Sequence, residues 1–487
     1  MKRILYFLPI LLVLAVSSCT DKFEDFNTDT KNPDAVPGES LFTNAQKELS
    51  DYINNTNVNI NIFKLIAQYW TETTYTDEAN YDLITRNISA NIYNRNYLRV
   101  LKDLDEAKSL IETTEVLSSE EAAKNNKLQI IEMMNVYVYA HLVDAFGAVP
   151  YTDALNIDNV YPTYDSGEDI YADLFSRLDA AIDAMDPEAG SFDDADIYYE
   201  GDAGAWIKFG NTLKIRMAIT TADANSSFSK TAVEEAVAGA FTSNDDDCLL
   251  AYQQASPNYN QLYADLVASG RHDFVPANTI VDIMNDMEDP RSDAYFADKI
   301  DTSSVDGVEK LAYVGGDYGY SNSFGQCSHI GVAIQEPTFS GIMLTYSELC
   351  FYLAEAAERG YSVNGTAEEW YDKGIEASFD YWGVSGADAY LAKPEVAYTT
   401  ATGTWKEKIG LQSWLANYTR GATAYNTWRR LDYPVFNLPE NAESYDDIPV
   451  RFTFPVNEQT LNATNYSAAS EMIGGDLIST KIFWDLY

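Results

Sequence analysis

Residues 120–146 read as a helix packed on two sides. Leu128, Ile131, Val138, Leu142 and Ala145 fall on one stripe at helical spacing, and Ile130, Met134 and Tyr137 fall on another. A helix apolar on two faces is not a surface helix, so other helices must cover it. It stops at Gly147, with Pro150 just beyond, as helix ends often do. A second periodic segment runs from Asp169 to Met185. Ile170, Leu174, Leu178, Ile182 and Met185 form its stripe, and Pro187 ends it.

The layout recurs downstream. Ser347–Arg359 carries Leu349, Tyr352, Leu353 and Ala356 before Gly360, and Glu368–Tyr381 carries Trp370, Ile375 and Phe379. Helix pairs near 120–186 and 345–382 resemble tetratricopeptide units, which stack because neither helix buries its face alone. Further helices are expected at Leu41–Ile53, Asn61–Thr71, Tyr93–Ile111, Ala203–Thr221, Lys230–Ala240, Asn278–Met287, Trp405–Asn417 and Gly421–Leu431. Strand signals are few, at Cys248–Gln253, Lys310–Val314 and Arg451–Phe454. The expected fold class is therefore mostly α, a helical-repeat scaffold with long irregular loops and minor β. Residues 252–276 and 298–337 are rich in Ser, Gly, Asp, Asn and Tyr. Loops this long inside a compact protein are usually functional, so a ligand face is expected near 252–337.

The first residues carry an address. Lys2 and Arg3 precede an apolar run, Ile4–Val16, which reads as the charged and hydrophobic parts of a secretory signal. The run is too short to span a bilayer. Ser17 and Ser18 then lead into Cys19, an ending that resembles a bacterial lipoprotein signal. In that reading residues 1–18 are removed, and Cys19 becomes a lipidated first residue. Several acyl chains on one residue make a stable membrane anchor. Residues 19–40, acidic and containing Pro33 and Pro37, read as a tether. Residues 41–487 read as a single domain.

Charge and motif content exclude several function classes. The 487 residues hold 75 Asp and Glu against 32 Lys and Arg, a net charge of −43 that repels phosphate backbones, so no nucleic-acid partner is expected. His141, His272 and His329 show no metal-ligand spacing, and His141 reads as a core histidine. No nucleophile elbow or Walker A sequence occurs. Gly315–Tyr320 lacks the Lys and Ser or Thr of a phosphate cradle and reads as a flexible aromatic loop. Asp193-Asp194 and Asp245-Asp246-Asp247 read as solvated charge without the calcium-loop alternation. No cofactor is expected, with room left for a structural calcium. Cys248, Cys327 and Cys350 form neither a disulfide framework nor a zinc pattern. One bridge stays open, although burial as small apolar side chains is favoured, above all for Cys350.

Several segments carry a family resemblance. Cys19-Thr20-Asp21 to Pro33 comes first, then His141–Tyr151 and Trp206–Met217. Asp289-Pro290-Arg291, Glu355–Gly360, Trp428-Arg429-Arg430, Phe454–Gln459 and Asn462–Tyr466 follow in order. Together they resemble SusD/RagB-type outer-membrane nutrient-binding lipoproteins, and more narrowly the second SusD-like subgroup. The resemblance implies one mostly helical body with four tetratricopeptide-like units. It also implies a SusC-like TonB-dependent outer-membrane transporter as partner, a glycan as ligand, and a lipid-anchored place on the cell surface of a Gram-negative bacterium. It implies a binding protein, not an enzyme.

The family's ligand residues vary, so no motif carries them over by position. Sugar rings present C–H faces that aromatic planes cover, while their hydroxyls need polar partners. The chain has 35 Tyr, 8 Trp and 21 Phe, and a Tyr-rich balance suits half-wet surfaces. The ligand candidates are Trp70, Tyr75 and Tyr81 early in the chain and Tyr259, Tyr263 and Arg271 in its middle. Tyr313, Tyr318, Tyr320 and Phe324 on and beside the glycine-rich segment complete the set. Two other functions stay open. One is an oligopeptide-binding importer subunit of the same architecture. The other is a surface glycosidase, which needs two carboxylates facing each other across a cleft.

Overall fold

Capping side chains set where the helices begin. Ser166, Asp202, Asn225, Thr345, Thr366 and Thr404 each accept a hydrogen bond from a backbone N–H in the first turn of the helix that follows. At Thr366 and Thr404 a glutamate three residues on returns the bond, closing a capping box. The computed structural model describes residues 36–301, 311–440 and 448–487. The expected signal segment and Cys19 lie outside the described residues. Residues 38–487 form one compact unit.

The longer helices are α1 (Gly38–Ile53), α2 (Ile88–Arg95), α3 (Lys102–Thr113), α4 (Glu121–Phe146), α5 (Gly167–Ala184), α6 (Ala203–Thr220) and α7 (Ser226–Ala236). After the loop-rich middle come α8 (Asn278–Asp286), α9 (Tyr346–Glu358), α10 (Ala367–Trp382), α11 (Trp405–Ala416), α12 (Gly421–Leu431) and α13 (Ala463–Met472). They pack against neighbours in sequence, α4 on α5, α6 on α7, α9 on α10 and α11 on α12, while α1 packs on α3. This is the tetratricopeptide-like scaffold, mostly α, that the helix periods predict.

Helix α4 is buried along two faces, as its stripes require. Gly147 ends it at φ +83°, a conformation that favours glycine, and its N–H reaches the Val143 carbonyl at 2.7 Å. Asp144, on the last turn, gathers distant parts of the chain. Its carboxylate accepts from Tyr171 Oη at 2.5 Å, Asn426 Nδ2 at 2.8 Å and Trp484 Nε1 at 3.0 Å. His141, one turn earlier, meets the Tyr52 hydroxyl at 2.8 Å through Nε2, and burial pushes its imidazole down to about 3. It is a packed, neutral histidine.

The described strands form two-stranded antiparallel sheets. Two of these position the loops: β1 (Trp70–Glu72) pairs with β3 (Phe274–Pro276), and β2 (Cys248–Leu250) pairs with β4 (Gly341–Leu344). Three local expectations change. Asn61–Thr71 is helical only over Phe63–Ile66, because the chain turns at Gln68, where φ is +54°, and then joins the sheet. Tyr93–Ile111 is divided between α2 and α3 by a wider turn at Asn96–Leu101. Arg451–Phe454 is not a strand. Its partner is the end of α4, where the Phe452 N–H donates to the Ala145 carbonyl and Arg451 Nε to the Phe146 carbonyl. Cys248, Cys327 and Cys350 are free and buried.

Buried ion pairs cross-link the scaffold. Arg291 and Asp289 are both fully buried and paired at 2.6 Å, and Arg291 also donates to Ser378 and Gln412. Glu355 receives Arg430 at 2.6 Å. The acidic run at 245–247 diverges instead of converging: Asp246 pairs with Lys208, and Asp247 accepts the Tyr346 N–H. Among the described residues no group of three or more His, Cys, Asp or Glu is placed to hold a metal ion.

Candidate functional site

The β1–β3 ladder brings three distant stretches together. Its register sets Trp70 opposite Pro276 and Glu72 opposite Phe274. Residues 73–87 leave β1, and residues 259–273 enter β3. Beyond the ladder the Thr73 N–H donates to the Asp273 carbonyl and its hydroxyl to the His272 carbonyl. The glycine-rich segment then lies over both strands. The Gly316 N–H donates to Pro276 and the Asn278 N–H to Gly316, both at 2.8 Å. The Gly319 N–H reaches Thr71 Oγ1, Asn80 Nδ2 reaches the Gly319 carbonyl, and the Asn322 N–H reaches Thr73. The segment expected to be a flexible aromatic loop is therefore pinned along its length by backbone hydrogen bonds.

This arrangement sorts the ten ligand candidates. Trp70, Tyr81 and Tyr318 are sealed inside and build the floor. Trp70 donates to the Tyr418 hydroxyl at 2.9 Å, and Tyr318 donates to the Leu65 carbonyl at 3.0 Å. Tyr313 is buried against Phe296 and donates to Asp293. Their rings and hydroxyls are occupied by the protein, so none offers a face to a ligand. Tyr259 and Tyr263 are half-buried edge to face on each other, outside the lining of the cleft described next.

Tyr75 and Arg271 do meet. They line an open cleft of about 320 Å³ with Val58, Asp265, Asp273 and Phe274. Tyr75 is 69% exposed, and its backbone sits at φ +58°. A non-glycine residue held in that region costs on the order of 1–3 kcal/mol and tends to cluster at ligand sites. Arg271 is closed on Asp273 by two hydrogen bonds. In an adjoining hollow that shares Arg271, Phe324 is sandwiched between His272 at 4.2 Å and His329 at 3.9 Å, both stacked. Tyr320, 44% exposed, projects from the same glycine-rich segment.

The cleft wall includes a carboxyl pair. Burial, and next the charge of Glu78, raise Glu72 to about 9, although the Ala79 N–H donates to it at 3.0 Å. Burial also raises Glu78, against the opposing pull of its ion-pair partner Arg86. Raised this far, Glu72 keeps its proton at neutral pH.

Reasoning from aromatics alone missed Asp265, Asp273 and Asn57. The alternation Asn54–Asn61 (Asn-Asn-Thr-Asn-Val-Asn-Ile-Asn), dense in turn-forming amides, was the signal that a polar loop borders the site.

A family model described as starch-binding, associating with the outer membrane, matches residues 30–455. The chain belongs to this SusD-like family. The solved structures agree. A chitin-binding protein shares 25% identity, covers 92% of this chain and 100% of its own, and superposes with a TM-score of 0.77. A SusD homologue from Bacteroides ovatus has 24% identity, 92% and 99% coverage and a TM-score of 0.79. A chitin-binding SusD homologue from Flavobacterium johnsoniae has 24% identity, 92% and 97% coverage and a TM-score of 0.76. No curated protein matches the chain in sequence. Among the described residues of this SusD-like chain, no helix is long and apolar enough to cross a membrane.

Proposed function

We propose that the protein is a lipid-anchored cell-surface lipoprotein that binds an oligosaccharide in the cleft beside Tyr75 and hands it to a TonB-dependent outer-membrane transporter. One observation carries the ligand part: an exposed tyrosine on strained backbone beside a ring of amides and carboxylates. A sugar needs an apolar plane and several hydrogen-bond partners at once, and the cleft supplies both. Membership of a family described as starch-binding supports a glycan, and the chitin-binding relative adds N-acetylated sugars to those worth testing.

The test is calorimetric titration of the detergent-solubilised full chain with maltohexaose, chitohexaose and a mixed peptide library. Saturable binding of at least one glycan is expected. Tyr75→Ala should weaken it about 30-fold, the cost of about 2 kcal/mol typical of truncating a central aromatic anchor. The thermal midpoint should stay unchanged, because Tyr75 is exposed. Binding of peptides alone would replace the glycan with an oligopeptide.

The anchor is assigned to Cys19, where the apolar run ends. Labelled palmitate should enter the wild-type chain and be absent from Cys19→Ala, which should leave the membrane fraction; label retained by the variant would remove the assignment. For the partner, a transporter should copurify from gently solubilised outer membranes, and its consistent absence would count against delivery.

A further inference from the structure

Building on the glycan reading, we propose that Asp265 makes the cleft select sugars bearing a free amine over sugars bearing carboxylate or sulfate. The case begins with the two guanidinium groups of the cleft, each already paired with a carboxylate. Arg271 is held by both oxygens of Asp273, and Arg86 is paired with Glu78. Glu72, raised to about 9, keeps its proton at neutral pH and adds no charge. Lys64 is the cation whose field reaches Asp265 from behind. It is buried near the Trp70 ring and donates to the carbonyls of Asn54 and Asn55, both at 2.9 Å. Its ammonium is therefore turned to the backbone, not to the cleft.

Asp265 has no such closed partner. It lines the cleft half-buried, and one oxygen accepts a single amide hydrogen bond, from Asn57 Nδ2 at 3.3 Å. Burial raises its carboxyl to about 6, and the nearby Asp273 adds to the rise against Asn57 and Lys64. A carboxylate poor in donors, facing an open cleft, gains most from a ligand that brings a charged donor. An incoming anion would have to compete with carboxylates already paired to the cleft's guanidinium groups, and it would approach a chain whose net charge is −43.

The experiment titrates the detergent-solubilised full chain at pH 7.5 and 0.15 M salt with glucosamine hexamer, N-acetylglucosamine hexamer, maltohexaose and oligogalacturonate. The amine oligomer should bind about tenfold or more tighter than the acidic one, the ratio that one charge-assisted hydrogen bond supplies. Asp265→Asn keeps the shape and should bring the two within about threefold. Lowering the pH to 5 protonates Asp265 and should shrink the wild-type ratio in the same way. Equal binding of both charged oligomers by the wild type, or undiminished selection by Asp265→Asn, would overturn the inference and leave the glycan reading standing. Failure of every oligosaccharide to bind would overturn both.

Discussion

Glu348→Ala should lower the stability of the folded chain by about 3–5 kcal/mol, the usual cost of removing one partner from a buried ion pair. Glu348 is 1% exposed. Its carboxylate receives Arg216 through two hydrogen bonds of 2.7 and 3.0 Å, Arg420 at 2.5 Å and the Tyr352 hydroxyl at 2.9 Å. Arg216 comes from α6 and Arg420 directly precedes α12, so one carboxylate on α9 joins three helical elements. Burial works to raise its pKa, but the two guanidinium groups overcome this and hold it below the usual range. Alanine would leave both cations without their anion in a site that water reaches poorly. Chemical denaturation would read the loss as a lower midpoint at unchanged slope. A Glu348→Gln companion keeps the shape and should retain part of the stability through its remaining hydrogen-bonding groups. If alanine unfolds within about 1 kcal/mol of wild type, the range of an ordinary surface pair, the cross-link is not holding the helices.

The carboxyl pair gives a pH corollary in the opposite sense from an ordinary ionised carboxylate. Glu348, held low, contributes stability at neutral pH that is lost as pH falls below about 4.5, its unfolded value. Glu72, raised to about 9, contributes stability present below 4.5 that is lost as pH climbs towards 9. These two groups alone weigh towards greater stability on the acidic side of neutrality.

Helices were legible because their determinants are local. The stripes of α4 and α5, the stop at Gly147 and the threonine caps are all contained within a few residues of sequence. What joins the helices was not legible, because Arg216 and Glu348 are 132 positions apart and no local period marks the pair. The tyrosine excess could not say which rings meet a ligand, for a related reason. Many of these rings lie inside and close on backbone carbonyls: Tyr295 on Leu415, Tyr371 on Val396 and Tyr425 on Pro449. A buried Tyr is thus a way to satisfy a loose carbonyl at a helix or loop end, and it need not signal a wet surface. Of the ligand candidates, Tyr75 and Arg271 reached the same cleft because the β1–β3 ladder joins their loops, a pairing no local pattern announces.

Gly315→Ala should weaken glycan binding by tenfold or more and cost about 1–3 kcal/mol of stability, as overpacking does. A Cβ at Gly315 would lie 2.5 Å from both the backbone nitrogen and Cα of Asn278 and 2.8 Å from the carbonyl carbon of Ala277. These atoms open α8 and follow β3, so neither side can yield cheaply. The segment must lift instead, breaking the two 2.8 Å hydrogen bonds of Gly316 and carrying Phe324 out of the hollow that adjoins the cleft at Arg271. The glycine is there for close backbone contact, not for flexibility or phosphate binding. Gly325 supplies the control. It lies in the same stretch, one residue past Phe324, and an added Cβ would meet nothing within 4 Å. Gly325→Ala should therefore match wild type in both thermal midpoint and glycan titration. If Gly315→Ala also matches, the glycine-rich segment is not seated on the strands, and the cleft does not depend on it.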